Sequence, residues 1–489
     1  MTTHATDHAK QPGRTDASVG WLPDWKTERT FAVLNPYTGE VIARLPICGA
    51  DEVNQACERA AAMLAAGTFP QFERARVLDR VSVLLDERLE EVAQVIRAET
   101  GKTIRESRHE VRRAIETLRF SASEARHLTG ELVPLEATFT GAGKIGLSLR
   151  VPLGVIGAIT PFNFPLNTVV HKIGPAIAAG CPVVLKPAPQ TPLTAIKVVQ
   201  ILREAGMPTD WIVIVTDDES QAGAALVRHP TPQMITFTGS SEVGWSIAAA
   251  APRKRIVLEL GSNAPVIIEP DANLEVAAKK IVAAAFGTTG QSCISVQRVL
   301  VHRSIHDGLA DMLAKAASAL VVGDPADEAT DMGPLITPEA TERVYNWIEE
   351  ARSTGGTVLA GGEVRGGCLS PTVVDCPDAS SKLRTQEVFG PVLALIPYDE
   401  FDEALSIAME TTLRLQAGVF TGDLNKALRA VRELDFGGVL INEVPTYRAD
   451  QQPYGGVKDA GNTREGPAHA VLEMTQLRFV SLEAQDLVP

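Results

Sequence analysis

Between residues 154 and 238 the chain alternates short, wholly apolar runs with helix-patterned stretches. No other feature restricts the fold as strongly. Residues 154–160 read as a buried strand followed by a proline-marked loop, and residues 167–179 as a helix ended by Gly180. Residues 182–186 form a second strand signal, 187–192 a loop, 193–205 a helix, 211–216 a strand, 222–228 a helix and 234–238 a strand. Strands with no polar face, separated by helices, predict a parallel sheet covered on both sides. Ligands of such sheets bind beyond the carboxyl ends of the strands, so the chemically suggestive residues are expected there.

Upstream, residues 50–66, 75–99 and 104–129 place apolar side chains at helical spacing. Past Glu259 a second alternation begins, with a helix through 278–285, a strand at 299–301 and a helix over 305–319. Later strands are expected near Val373, over 392–396 and over 439–441, which makes a second α/β unit with a boundary around residue 260. At 489 residues the chain exceeds one ordinary core, so two or three domains are expected.

A net charge of −14 opposes nonspecific binding to nucleic acid or to an anionic membrane, because both need a basic face. The apolar stretch 151–185 is broken by Pro152, Pro161, Pro165, His171, Lys172 and Pro175, too often for a membrane span of about 20 residues. Residues 1–20 lack an apolar signal region and read as a disordered lead-in. Cys48, Cys57, Cys181, Cys293, Cys368 and Cys376 form no CxxC pair and no zinc spacing. Six reduced thiols in a cytoplasmic protein without a bound metal are expected.

Cys293 differs from the other five in its surroundings. It closes the small-residue turn Gly287-Thr288-Thr289-Gly290-Gln291-Ser292, and Glu259 stands 34 residues earlier in Glu259-Leu260-Gly261. Asn163 sits in Thr160-Pro161-Phe162-Asn163-Phe164-Pro165. A thiol, a carboxylate and an amide can supply a nucleophile, a general base and an oxyanion donor. Taken singly, each has an ordinary structural explanation: a buried thiol, a turn amide, a strand-end carboxylate.

Seven motifs in one order resemble the aldehyde dehydrogenase superfamily. They are Thr160 to Pro165, Lys186-Pro187, Phe237-Thr238-Gly239-Ser240, Glu259-Leu260-Gly261, Gly290-Gln291-Ser292-Cys293, Glu387-Val388-Phe389-Gly390-Pro391, and Pro453-Tyr454-Gly455-Gly456-Val457-Lys458 with Gly461 and Arg464-Glu465. The resemblance runs over roughly residues 30 to 482. It implies an α/β fold with a Rossmann-like cofactor domain (21–130 and 150–259), a catalytic α/β domain (260–450) and a small β oligomerisation element (131–149 and 471–489). A homodimer or homotetramer follows from that element.

The same resemblance implies oxidation of an aldehyde to a carboxylic acid. Cys293 would form a thiohemiacetal and then a thioester, Asn163 would hold the oxyanion, and Glu259 would activate the hydrolytic water. The chain has no G-x-G-x-x-G, so the pyrophosphate is expected at the helix after Gly239 and Ser240, with Gly244 inside it. Thr160, Pro161 and Phe162 would line the cofactor, Lys186 would reach the adenosine ribose, Glu387 the nicotinamide ribose, and Phe389 the nicotinamide. NAD is expected and NADP is left open, since Pro189 stands where many NAD-selective relatives carry a glutamate.

For the substrate, Arg113 and Arg448 resemble positions that grip the phosphonate in phosphonoacetaldehyde dehydrogenases. Arginine's planar fork suits a phosphonate or carboxylate. Phe164 and Ser292 stand where those enzymes tend to have His and Arg, which points to a smaller or singly charged head group. A neutral or hydroxylated aldehyde such as lactaldehyde is the alternative. A CoA-acylating semialdehyde dehydrogenase would usually lack Glu259, and a cysteine hydrolase would need a histidine partner among His171, His229, His302 and His306.

Overall fold

The computed structural model describes Trp25 and residues 27–218 and 221–483, so the expected lead-in lies outside the described residues. One sheet holds five strands, all parallel, in the spatial order Ile212–Ile214, Val183–Lys186, Val155–Ile159, Pro232–Thr238, Arg255–Glu259. The chain enters at the central strand, moves to one edge, and returns to pair Pro232–Thr238 beside Val155–Ile159. That reversal is the topological switch point, where an open α/β sheet leaves a crevice. Helices Asn167–Ala179, Pro192–Glu204, Gln221–Arg228 and Ser241–Ala250 make the crossovers. Val155–Ile159, Val183–Lys186 and Ile212–Ile214 are buried at every position, as a sheet covered on both faces requires.

Four residues, 260–263, carry the chain into a seven-stranded sheet. Its order is Thr357–Ala360, Thr372–Asp375, Val392–Tyr398, Val296–His302, Ala264–Ile268, Gln416–Phe420, Gly438–Ile441, and only the first pair is antiparallel. A third, antiparallel sheet joins Thr475–Glu483, Lys144–Pro152 and Glu131–Val133. It leaves Leu132, Leu477, Phe479 and Leu482 exposed. Among the described residues no helix is long and apolar enough to cross a membrane.

The helical stretch read over 75–99 is two helices, Gln71–Glu87 and Leu89–Thr100, broken at Arg88. Arg88 leaves helical geometry (φ −114°, ψ 23°), and its guanidinium pairs with Glu204 at 2.6 Å. A second difference concerns Cys293. Asn163, Gly239 and Glu259 stand at or just past carboxyl ends of strands in the five-stranded sheet, whereas Cys293 precedes Val296–His302 and so meets them from the amino end of the other sheet. The site lies between the carboxyl ends of strands in one sheet and the amino end of a strand in the other.

Candidate active site

Burial and one carboxylate shape the loop that carries Asn163. Glu110, on helix Ile104–His127, accepts at Oε1 from the backbone N–H groups of Leu166 (2.9 Å) and Asn167 (3.1 Å), satisfying orphan donors where helix Asn167–Ala179 begins. Its Oε2 accepts from Lys102 Nζ at 2.7 Å, and both side chains are at most 3% exposed. Lys102 Nζ in turn lies 3.6 Å from the ring centroid of Phe164. Asn163 is thereby fixed, and its Nδ2 donates to the Gln291 carbonyl at 2.8 Å, two residues before the thiol.

The nucleophile loop is backbone-strained. Helix Leu274–Phe286 ends, and Thr288 and Thr289 both take left-handed geometry (φ 53° and 55°), followed by Gly290 at φ 69°. Each such threonine costs on the order of 1–3 kcal/mol. Gly290 is required, because a Cβ there would lie 2.1 Å from the Gly390 carbonyl oxygen. Thr289 Oγ1 donates to the Gly333 carbonyl (3.1 Å), which helps hold the turn. Cys293 Sγ lies 3.0 Å from Tyr454 Oη.

Burial pushes the Cys293 thiol up to about 12, against the hydrogen bond with Tyr454, which pulls it down. Burial first, and the Glu465 charge second, push Glu259 well above the usual carboxylate range, opposed by Arg448 and Lys172. Both Glu259 oxygens are buried with no hydrogen-bond partner among the described residues. Gly455 leaves space for them, since a Cβ there would come within 2.9 Å of Glu259 Oε1. Such a carboxyl can serve as a general base once it is ionised.

Cys293, Glu259 and Asn163 line one cavity of about 1130 Å3. Thr160, Pro161, Phe162, Lys186, Gly239, Ser240, Glu387, Phe389, Arg113, Arg448, Ser292 and Phe164 line it too. Gly244 does not; it lies buried in helix Ser241–Ala250 against Leu260, where a Cβ would meet Leu260 Cδ2 at 2.4 Å. None of His171, His229, His302 and His306 lines this cavity; His109 does.

A dinucleotide fits the residues at the switch point. Thr238 Oγ1 and Ser262 Oγ are buried without partners among the described residues, and helix Ser241–Ala250 presents its first turn there under Ser240, which caps Val243 N at 3.4 Å. Lys186 Nζ pairs with Asp217 Oδ1 at 2.9 Å, both buried. Glu387 Oε1 accepts from Ser262 N (2.8 Å), and its carboxylate rests on Gly261, where a Cβ would be 2.2 Å from Oε2. Burial pushes Glu387 up to about 7. Phe162 and Phe389 meet edge to face with centroids 5.8 Å apart, and Phe389 is held at φ 48°.

Both arginines are already paired. Arg113 Nη2 donates to Asp450 Oδ1 and Arg448 Nη2 to Glu465 Oε2, each at 2.7 Å. Asp450 Oδ1 also lies 3.2 Å from His171 Nε2, and Lys172 Nζ 3.9 Å from Glu465. Burial lowers His171, which keeps it neutral at neutral pH. Burial opposes ionisation of Glu465, but His171 (once protonated, at acid pH), Arg448 and Lys172 outweigh it and hold Glu465 below the usual carboxylate range. Arg448 Nε is buried without a partner among the described residues.

The sequence matches the aldehyde dehydrogenase family over residues 21–480. The chain belongs to that family. It is 43% identical over 460 residues to a 3-sulfolactaldehyde dehydrogenase of Priestia aryabhattai, covering 94% of this chain and 96% of that one. Aldehyde dehydrogenase 21 of Physcomitrella patens, solved with the reaction product succinate, superposes with a TM-score of 0.91 at 36% identity, covering 95% of this chain and 97% of that one. The glyceraldehyde-3-phosphate dehydrogenase GapN of Methanocaldococcus jannaschii, solved with NADP, gives 0.89 at 36% identity over 93% and 99% of the two chains. This aldehyde dehydrogenase uses NAD(P) and has the aldehyde dehydrogenase fold.

Proposed function

We propose that this aldehyde dehydrogenase oxidises a small aldehyde bearing one anionic head group (a sulfonate, phosphonate or carboxylate) to the corresponding carboxylic acid. Cys293 Sγ attacks the aldehyde carbon, and the carbonyl π electrons move onto oxygen. Asn163 keeps a second N–H on Nδ2 for that oxyanion, beside the backbone N–H of Cys293, each donor contributing on the order of 3 kcal/mol. The bound nicotinamide supplies the two-electron acceptor. Glu259 then takes a proton from water as that water adds to the thioester carbon, and Cys293 leaves as the thiol. Phe164 and Ser292 border the substrate space.

The observation that carries the substrate reading is the pair of arginines on the cavity wall, Arg113 and Arg448. Arg113 pairs with Asp450 and Arg448 with Glu465, while burial draws Lys172 and His171 toward their neutral forms. Arg113 and Arg448 spend Nε and Nη2, and Nη2, on these partners, so guanidinium donors remain for a head group. The relative acting on 3-sulfolactaldehyde and the neighbour holding succinate support the same class. The test is a kinetic panel of sulfonate, phosphonate, carboxylate and neutral short aldehydes on the wild type and Arg113→Ala. A 10- to 100-fold loss of kcat/KM confined to anionic aldehydes is expected. Equal loss on lactaldehyde would transfer the assignment to neutral or hydroxylated substrates.

Two further readings belong with this one. The exposed apolar residues Leu132, Leu477, Phe479 and Leu482 on the three-stranded sheet support a homodimer or homotetramer built across residues 131–149 and 471–489. The six cysteines, all unpaired, suit a cytoplasmic location. The units 21–130 with 150–259, and 260–450, serve as cofactor and catalytic domains in this account.

A further inference from the structure

We propose that Tyr454 is a catalytic residue of this site, whose phenol O–H donates to the Cys293 sulfur and stabilises the attacking thiolate. The inference rests on Cys293 being the nucleophile and adds a residue to the set of Cys293, Glu259 and Asn163.

The geometry carries it. Tyr454 is 3% exposed, and its Oη lies 3.0 Å from Cys293 Sγ. While the sulfur is protonated either group can donate. Once its proton is lost to solvent the sulfur can only accept, so the phenol must donate. As the S–C bond forms, the carbonyl electron pair moves to oxygen, and Tyr454 keeps its proton throughout.

The other charged groups that face Cys293 are Glu387 and Glu259, which disfavour a thiolate, and Arg448, which favours one. Tyr454 itself faces Cys293, Arg448 and Glu259. The thiolate therefore depends on Tyr454 and Arg448. The two act together: the Arg448 guanidinium carbon sits 3.8 Å from the Tyr454 ring centroid. A cation on the ring face stabilises negative charge developing on the phenol oxygen, which makes Tyr454 a stronger donor. One residue fixes both. Glu465 exchanges backbone hydrogen bonds with Tyr454 (3.1 and 2.5 Å) while its carboxylate holds Arg448 at 2.7 Å. Ile294, Leu415 and Ala460 pack around the ring.

The test needs no substrate. The rate of Cys293 alkylation by iodoacetamide is followed against pH by peptide mass spectrometry, in the wild type and in Tyr454→Phe. The phenylalanine keeps the ring under Arg448 and removes only the donor. A hydrogen bond to a charged acceptor predicts Cys293 alkylation about 10- to 100-fold slower in the variant at each pH from about 7 to 9, the two profiles running parallel. Turnover should fall about 10- to 100-fold over the same range, while alkylation of the exposed Cys376 stays the same. Alkylation of Cys293 as fast as in the wild type overturns the proposal. Should Tyr454→Phe not fold, biosynthetic 3-fluorotyrosine at the chain's five tyrosines, each a stronger phenol donor while protonated, must speed Cys293 alkylation at neutral pH; no change overturns it equally. Failure of the nucleophile assignment would show separately, as oxidation undiminished in Cys293→Ser.

Discussion

Replacing Glu110 with glutamine leaves the Lys102 ammonium without its counter-charge, 3% exposed beneath the Phe164 ring. Removing one member of a buried ion pair costs about 3–5 kcal/mol. A second route gives the same size: if Lys102 instead sheds its proton, holding it neutral at pH 7 costs at most about 4.6 kcal/mol, from a reference pKa of about 10.4 and about 1.36 kcal/mol per unit. Burial already draws Lys102 below the ammonium range, and Glu110 is the main force drawing it back. Without Glu110 the folded state loses the proton that the unfolded state keeps, so stability rises with pH. The gap between variant and wild type should therefore narrow by up to about 1.4 kcal/mol per pH unit above neutrality. Urea unfolding of the first transition at pH 7 and pH 9 measures it. A deficit below about 1 kcal/mol at pH 7, or one that widens at pH 9, refutes the reasoning. Since Glu110 also binds Leu166 and Asn167 N–H, the variant should lose kcat through the Asn163 loop even where it is folded.

Glu259→Gln should show a rapid burst of reduced cofactor near one per active site and a steady rate 10²- to 10⁴-fold lower, read by stopped-flow absorbance. Because burial raises Glu259, the wild-type deacylation rate should still rise with pH above the usual carboxylate range, and that dependence should vanish in the variant. Asn163→Ala should cut kcat about 10²- to 10³-fold, in steady-state assays, with cofactor affinity unchanged by titration calorimetry. Glu387, pushed up to about 7 by burial, accepts better once ionised. NAD should accordingly bind more tightly at pH 8 than at pH 6, and Glu387→Gln should flatten that profile in fluorescence titrations.

Much of this site was legible in the sequence because its members sit in Gly- or Pro-punctuated turns, where backbone demands fix residue type. Gly290 packing on Gly390, and Gly261 under Glu387, are such demands. The strands at 155–159 and 183–186 were equally plain, being apolar on both faces. Contacts made across long separations left no local trace. The Cys293–Tyr454 bond spans 161 residues, and Tyr454 stood out only as part of its motif. Glu110 lies on a helix that reads as merely amphipathic, and its carboxylate matters only where Leu166 comes to meet it. The partners of Arg113 and Arg448 were invisible for the same reason. Strands Ala264–Ile268 and Gln416–Phe420 escaped notice because Pro265 and Gly418 inside them weaken the strand signal.

Intact-protein mass spectrometry of Glu259→Gln, mixed with NAD and an anionic aldehyde, probes the chemistry most directly. The account predicts a mass increase equal to one acyl group, which peptide mapping assigns to Cys293 and which Cys293→Ser abolishes. Accumulated reduced cofactor with no acyl group on Cys293 would contradict it.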